Sequence, residues 1–137
     1  MKTVNQTSAG GIVRKGSLWL ICQHSQHKGW VFPKGLVGDH EKNESLESAA
    51  IREVEEEGGV KAKIIYNEPV KTFYRYQWQG VLINKTVYYF LMEYLSGDPK
   101  NHDWEMMDAK FVIAEEVTKT LTYDSDKEAF EKILKDL

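Results

Sequence analysis

The sequence has little of what would brace or anchor it from outside its own core. Cys22 is the single cysteine among 137 residues, so no intrachain disulfide can form. It ends the stretch Leu18-Trp19-Leu20-Ile21-Cys22, which predicts a buried thiol. No apolar run approaches about 18 residues, and Met1-Lys2-Thr3-Val4-Asn5-Gln6 lacks the apolar centre of a signal peptide. The expectation is a cytoplasmic chain with no membrane partner. A large charge of one sign is also missing: 18 Lys and Arg face 21 Asp and Glu, a net charge of −3. Such a balance gives no general attraction to a nucleic-acid backbone or an anionic membrane. An anionic substrate would have to be held locally, by a metal and a few cations. There are no repeats, linkers or low-complexity segments, and the 42% hydrophobic content is ordinary for a globular protein. One domain spanning 1–137 is expected, long enough to bury about two-thirds of its unfolded surface.

What is present is acid, concentrated in one place. Glu53, Glu55, Glu56 and Glu57 crowd into five positions of Arg52-Glu53-Val54-Glu55-Glu56-Glu57-Gly58-Gly59-Val60. Leu46, Ala49, Ala50 and Val54 favour helix, Asn43 is the expected N-cap with Glu44 and Glu47 in the first turn, and Gly58-Gly59 supplies the stop. At about 100° per residue, Glu53, Glu56 and Glu57 share one side and Glu55 points elsewhere. Like charges so spaced cost a bare helix ~0.2–0.5 kcal/mol per pair, and Glu57 projects into an otherwise apolar sector bounded by Leu46 and Ala50. A cation would relieve both. Oxygen-only donors suit magnesium, with manganese as the alternative, and either ion also bridges to phosphate oxygens. The competing reading is a solvated acidic helix with Arg52 paired to Glu56.

The spacing favours the metal. Gly38, Glu44, Arg52, Glu53, Val54, Glu56, Glu57, Gly59 and Val60 fit Gly-x(5)-Glu-x(7)-Arg-Glu-hydrophobic-x-Glu-Glu-x-Gly-hydrophobic at every defined position. In this the chain resembles the Nudix hydrolases. The resemblance implies an α/β/α sandwich with a mixed β-sheet flanked by helices. It puts Glu53, Glu56 and Glu57 at metal and catalytic positions, leaving open which accepts a proton, and makes Glu44 and Arg52 an ion pair that fixes the loop and helix. A glycine carbonyl joins the metal site, and either Gly35, in Phe32-Pro33-Lys34-Gly35, or Gly38 is the candidate. If it is Gly35, the loop Leu36 to Asn43 is three residues longer than usual. Glu105, before a later strand, is a further acid for metal or proton, or else a surface glutamate.

Along the chain, Thr7 to Val13 reads as a strand whose Gly10-Gly11 permits close approach by a strand or a ligand. Leu18 to Cys22 reads as a central strand, and His24 and His27 as loop residues able to touch substrate. Ala62 to Tyr66 is a strand, and Val70 to Trp78 pairs with Thr86 to Leu95 across a turn bracketed by Gln79-Gly80 and Asn84-Lys85. Tyr74, Tyr76 and Trp78 share one face, a stripe that usually packs in a core. Ala109 to Ile113 is the last strand, Ala114 starts a short helix, and Ser125-Asp126-Lys127-Glu128 is a capping box for a final helix with Phe130, Ile133, Leu134 and Leu137 on its apolar side. Strands, helix, strands, helices make a mixed sheet between helices.

Ser8-Ala9-Gly10-Gly11, Phe32-Pro33-Lys34-Gly35, Lys85 to Met92, Trp104 to Phe111 and Leu121-Thr122-Tyr123 resemble the diadenosine polyphosphate hydrolase branch. Lys34, in place of a second glycine, argues against the branch that removes oxidised nucleoside triphosphates. The branch implies hydrolysis of diadenosine tetraphosphate to ATP and AMP, with Tyr123 stacking on adenine and Tyr74 or Tyr76 as the other wall. Lys34, the cation nearest the box, is expected on phosphate, with Lys85 and Arg75 as further phosphate candidates. The partner is thus a dinucleoside polyphosphate, and a monomer and a dimer are both compatible. The rivals are hydrolysis of ADP-ribose, a nucleotide sugar or an RNA pyrophosphate end, and a catalytically silent nucleotide-binding module.

Overall fold

The computed structural model describes residues 1–38 and 42–137. Strand β1 (Lys2–Lys15) pairs antiparallel with β2 (Leu18–His24) and with β4 (Lys34–Leu36), and parallel with β7 (Val81–Gly97). β3 (Trp30–Val31) and β8 (Met106–Ile113) both pair with β2, while β5 (Val60–Ile64) and β6 (Val70–Trp78) pair antiparallel with β7. This is one mixed sheet. Helix α1 (Leu46–Gly58) covers one face, and α2 (Ala114–Thr120) and α3 (Asp124–Lys135) cover the other.

Alternation along the central strands sorts the core into two layers. Ala9, Val13, Leu20, Cys22, Phe90 and Met92 pack towards Ala49, Ala50 and Val54 of α1. Their neighbours Ile12, Trp19, Ile21, Tyr89 and Leu91 pack towards Val117, Ala129, Phe130 and Ile133 of the other two helices. The expected α/β/α sandwich is therefore observed, with β2 central and the Cys22 thiol fully buried.

Of the approaches expected at Gly10-Gly11, that of a strand occurs, and a helix comes close as well. A side chain at Gly10 would overlap the Pro33 carbonyl, and one at Gly11 would stand 2.6 Å from Val54 Cγ2. The first glycine admits a strand and the second admits α1.

Three local expectations are corrected. The N-cap of α1 is Ser45, whose side chain accepts from Ser48 N–H, and Asn43 lies outside the helix. The hairpin turn is Gln79-Gly80 alone: Trp78 pairs with Val81, both turn residues have positive φ (48° and 76°), and Asn84-Lys85 belong to β7. That is the tight two-residue geometry that suits the right-handed twist of paired strands. The third concerns α3, whose N-cap is Tyr123 with no side-chain cap; Asp126 instead accepts from Tyr89 OH at 2.7 Å. The longer loop after Gly35 includes Asp39, His40 and Glu41, which lie outside the described residues. Among the described residues, no helix is long and apolar enough to cross a membrane.

α1 ends at Gly59, with φ 74° and its N–H on the Glu55 carbonyl. A Cβ there would stand 2.6 Å from the Asp98 carbonyl oxygen and 2.9 Å from His102 N. Gly59→Ala therefore combines left-handed strain with a backbone clash and is expected to cost about 2 kcal/mol. A several-degree fall in Tm is the readout; an unchanged Tm would contradict the geometry.

Candidate functional site

The last two turns of α1 carry Glu53, Glu56 and Glu57. Glu53 and Glu57 are 5% and 6% exposed, because the side of α1 that bears them turns towards β4. Lys34 N–H donates to Glu57 Oε1 at 3.0 Å, and a side chain at Gly35 would overlap the Glu53 carboxylate. A side chain at position 35 would therefore displace the Glu53 carboxylate. Gly38 has a different role: with φ 83° it directs its N–H to Glu44 Oε1 at 3.2 Å.

Arg52 holds the acids together. Its Nε and Nη2 donate to the two oxygens of Glu44 at 2.7 and 2.9 Å, and its Nη1 donates to Glu53 at 2.6 Å and to Glu56 at 3.2 Å. The planar guanidinium suits this three-way task. Its pKa is raised further by these carboxylates, the Glu44 hydrogen bonds foremost. The expected pairing of Arg52 with Glu44 is present, and so is the Arg52–Glu56 pair of the competing reading.

Negative charge nevertheless remains in excess. Burial lifts Glu57 to about 8, against the pull of the Lys34 N–H and ammonium, with Glu53 and Glu105 adding to the rise. Burial also lifts Glu53 to about 7, opposed by Arg52 and reinforced by Glu56 and Glu105. The Glu105 carboxylate thus contributes to the field at both acids. Its loop is fastened where that matters, by Asp103 N–H on the Glu56 carbonyl at 2.8 Å and Ser25 N–H on the Glu105 carbonyl at 2.9 Å. Among the described residues, no three His, Cys, Asp or Glu side chains stand ready grouped for a metal; protein donors occupy the acids. The donor set still fits a hard divalent cation: oxygens alone, two buried carboxyls that resist losing their protons, and a backbone at Gly35 kept clear of any side chain.

Beyond Lys34 opens a cleft of about 970 Å³. Its floor is the sheet, with one row fixed by register: Tyr74 beside Lys85 beside Gln6. Tyr74 and Tyr76, with rings 6.0 Å apart, form one wall with Trp78, so the aromatic stripe faces the cleft. Tyr123 forms the opposite side, fastened by Thr122 N–H on the Trp30 carbonyl (3.1 Å) and by Trp30 N–H on Thr122 Oγ1 (2.8 Å). His24 and His27 stack at 4.2 Å, and Tyr123 OH lies 3.2 Å from His27 Nδ1. Burial, with Lys34 nearby, lowers both histidine pKa values.

Two lysines join the acids to this cleft. Burial lowers Lys85 to about 8, Lys34 pushing the same way and Glu57 and Glu53 opposing. Burial alone would lower Lys34 too, but Tyr74, Asp126, Glu57 and Tyr123 together raise it. Lys34, Lys85, Tyr74, Tyr76, Tyr123, His24 and His27 all line the cleft, while Arg75 is at its exposed rim, bonded to Asn84 Oδ1 at 2.7 Å.

Sequence reasoning missed Asp126. It is 4% exposed, lines the cleft, and has a pKa raised by burial against the pull of Lys34 and Tyr89. A signal existed: Asp126, Ala129, Phe130 and Ile133 are spaced i, i+3, i+4, i+7, which puts a carboxylate on the buried face of α3.

A mixed sheet between helices, with an acidic helix bonded to β4 at Lys34 and a cleft lined by Lys34 and Lys85, defines a class of α/β domain equipped to bind anions. The chain belongs to the Nudix family: the NUDIX domain matches residues 4–133. A Mycobacterium tuberculosis protein whose name, mutator protein MutT4, is provisional is 30% identical over 137 residues; the match covers 93% of this chain and 54% of that one. This chain therefore spans about half the length of that relative. Among solved structures, a binary complex of the C. elegans Ap4A hydrolase superposes with TM-score 0.79 at 24% identity, covering 96% of each chain. The NUDIX domain of Shewanella oneidensis NrtR, complexed with ADP ribose, superposes with TM-score 0.73 at 18% identity, covering 97% of this chain and 88% of that one.

Two expectations follow from the acid cluster. Arg52→Gln removes the guanidinium from Glu44, whose side chain is 4% exposed, and should cost about 3 kcal/mol in urea denaturation, with Arg52→Lys losing less. A loss under about 0.5 kcal/mol would place Arg52 among ordinary surface ion pairs. The second concerns pH. The metal-free fold retains protons on Glu57 up to about 8 and on Glu53 up to about 7, whereas the unfolded chain releases them near 4.5. Stability contributed by those protons is therefore present below about pH 5 and is lost as pH rises to about 8. Thermal melts in chelator should show Tm falling through that window, with a smaller fall in Glu57→Gln; identical profiles would refute the assignment.

Proposed function

We propose that the chain is a metal-dependent Nudix pyrophosphohydrolase that splits diadenosine tetraphosphate asymmetrically, giving ATP and AMP. The observation that carries this reading is a cleft that joins Lys34 and Lys85 to aromatic side chains at Tyr74, Tyr76 and Tyr123, with the Lys34 N–H bonded in turn to Glu57 of α1. A dinucleoside polyphosphate has the same sequence of chemistry: reacting phosphates, further phosphates, then a flat base. The likeness to the C. elegans Ap4A hydrolase over nearly the whole chain supports the choice of substrate.

Glu53, Glu56 and Glu57, with the Gly35 carbonyl, would hold magnesium. A bound divalent cation supplies positive charge to phosphate oxygens and acidifies water. The remaining work belongs to the chain. Arg52 keeps Glu44, Glu53 and Glu56 from scattering, and Lys34 and Lys85 draw the polyphosphate along the cleft and offset its charge. Tyr123 on one side and Tyr74 on the other hold the base, at little conformational cost because their rings are already fixed. Glu105, which acts on Glu53 and Glu57 through its field, is assigned to take the proton of the attacking water.

Incubation of the purified chain with diadenosine tetraphosphate, with and without magnesium, followed by chromatography, tests this. ATP and AMP appearing only with metal is the expected result. Two ADP would move the cut to the centre. No product alongside turnover of ADP-ribose or a nucleotide sugar would discard the substrate and keep the chemistry. Binding without any turnover would reduce the chain to a nucleotide-binding module.

A further inference from the structure

Asp126 is a carboxylate for which the reaction above has no use. It lies 4% exposed at the floor of the aromatic end of the cleft, which Tyr74 and Tyr123 also line. Its position in the first turn of α3 suggests a cap, but the helix has no side-chain cap. Tyr89, itself fully buried, donates its hydroxyl to Asp126 Oδ1 at 2.7 Å, and no other protein group among the described residues donates to the carboxylate. Lys34 acts on it only through its field. Oδ2 is thus left without a partner in a cavity whose walls suit a planar ring. Burying a carboxylate this deeply is costly, and the cost is met when a donor completes it.

We infer that Asp126 Oδ2 reads the base of a bound nucleotide, accepting a hydrogen bond from the 6-amino group of an adenine held between Tyr74 and Tyr123. This rests on the nucleotide reading given above. An acceptor here selects a base with an amino group over one with a carbonyl at the same place, because a carbonyl would face the carboxylate with no proton between them. Guanine could present two adjacent donors, but one of them would have to share Oδ1 with the Tyr89 hydroxyl, which weakens the two-point contact that would favour it. Stacking alone is indifferent to this edge. Asp126 would therefore supply the discrimination that the tyrosines lack.

Asp126→Asn reverses the contact without changing its shape. Tyr89 OH continues to donate to Oδ1, which turns Nδ2, a donor, towards the ligand. Calorimetric titration of wild type and Asp126→Asn with ADP and with inosine diphosphate, magnesium present, provides the test. Wild type should bind ADP about tenfold more tightly than inosine diphosphate. Asp126→Asn should abolish or reverse that ratio. Where the amide variant does not fold, Asp126→Ser serves instead, with the ratio expected to fall to near one. An equal loss for both nucleotides would mean that Asp126 acts only by steadying Lys34, and would overturn the inference. So would a wild-type ratio near one. Retained discrimination with no hydrolysis of diadenosine tetraphosphate would sink the substrate reading and leave this inference standing, whereas failure of wild type to bind either nucleotide would sink both.

Discussion

Carboxylates have to be buried at the end of α1 without being left alone there, and Arg52 makes that tolerable. Four acidic or carbonyl partners, Glu44, Glu53, Glu56 and the Leu36 carbonyl, lie within hydrogen-bonding reach of one guanidinium. Through Glu44 the network reaches Gly38 N–H, so the loop before the helix is anchored to the helix itself. Charge accounting also explains why the arrangement is incomplete as it stands. Arg52 satisfies Glu44 and moderates Glu53, but Glu57 has only the Lys34 N–H, and its pKa rises to about 8. A protein built for stability alone would place a hydrophobic side chain at such a position.

How much of this the sequence revealed depended on what each residue interacts with. Helix α1, the sheet and the two-sided core were legible because they follow from periodicity and from residues close in sequence, and the spacing from Gly38 to Val60 carried the family. The choice between Gly35 and Gly38 was not legible from counting. Only the approach of β4 to α1 separates a glycine that touches Glu53 from one that touches Glu44. The aromatic stripe was left open between packing and a binding wall for a similar reason. Alternation assigns Tyr74, Tyr76 and Trp78 to the same face as Val70, yet α3 covers that face only at the Val70 end. Asp126 was named only within the expected capping box Ser125-Asp126-Lys127-Glu128, which is not formed among the described residues. Its actual partner, Tyr89, is 37 residues away in sequence.

Lys34 connects the two halves of the site, and its neighbours account for its place. Its backbone belongs to β4, paired with Gly10, where the missing Cβ lets the strand come close enough for the Lys34 N–H to reach Glu57. Its ammonium lies in the combined field of Glu57 on one side and Tyr74, Asp126 and Tyr123 on the other, which keeps it charged although burial opposes that. One residue thus senses both the acids of α1 and the carboxylate at the aromatic end. At Lys85, two strands away, burial reinforced by Lys34 outweighs the pull of Glu57 and Glu53, and its pKa falls to about 8. The contrast orders the cleft electrostatically. An anion entering it would meet, beside the acids, a lysine that holds its proton firmly and, further along, one that releases its proton at about pH 8, so the balance of charge along the cleft would shift as the solution turns basic.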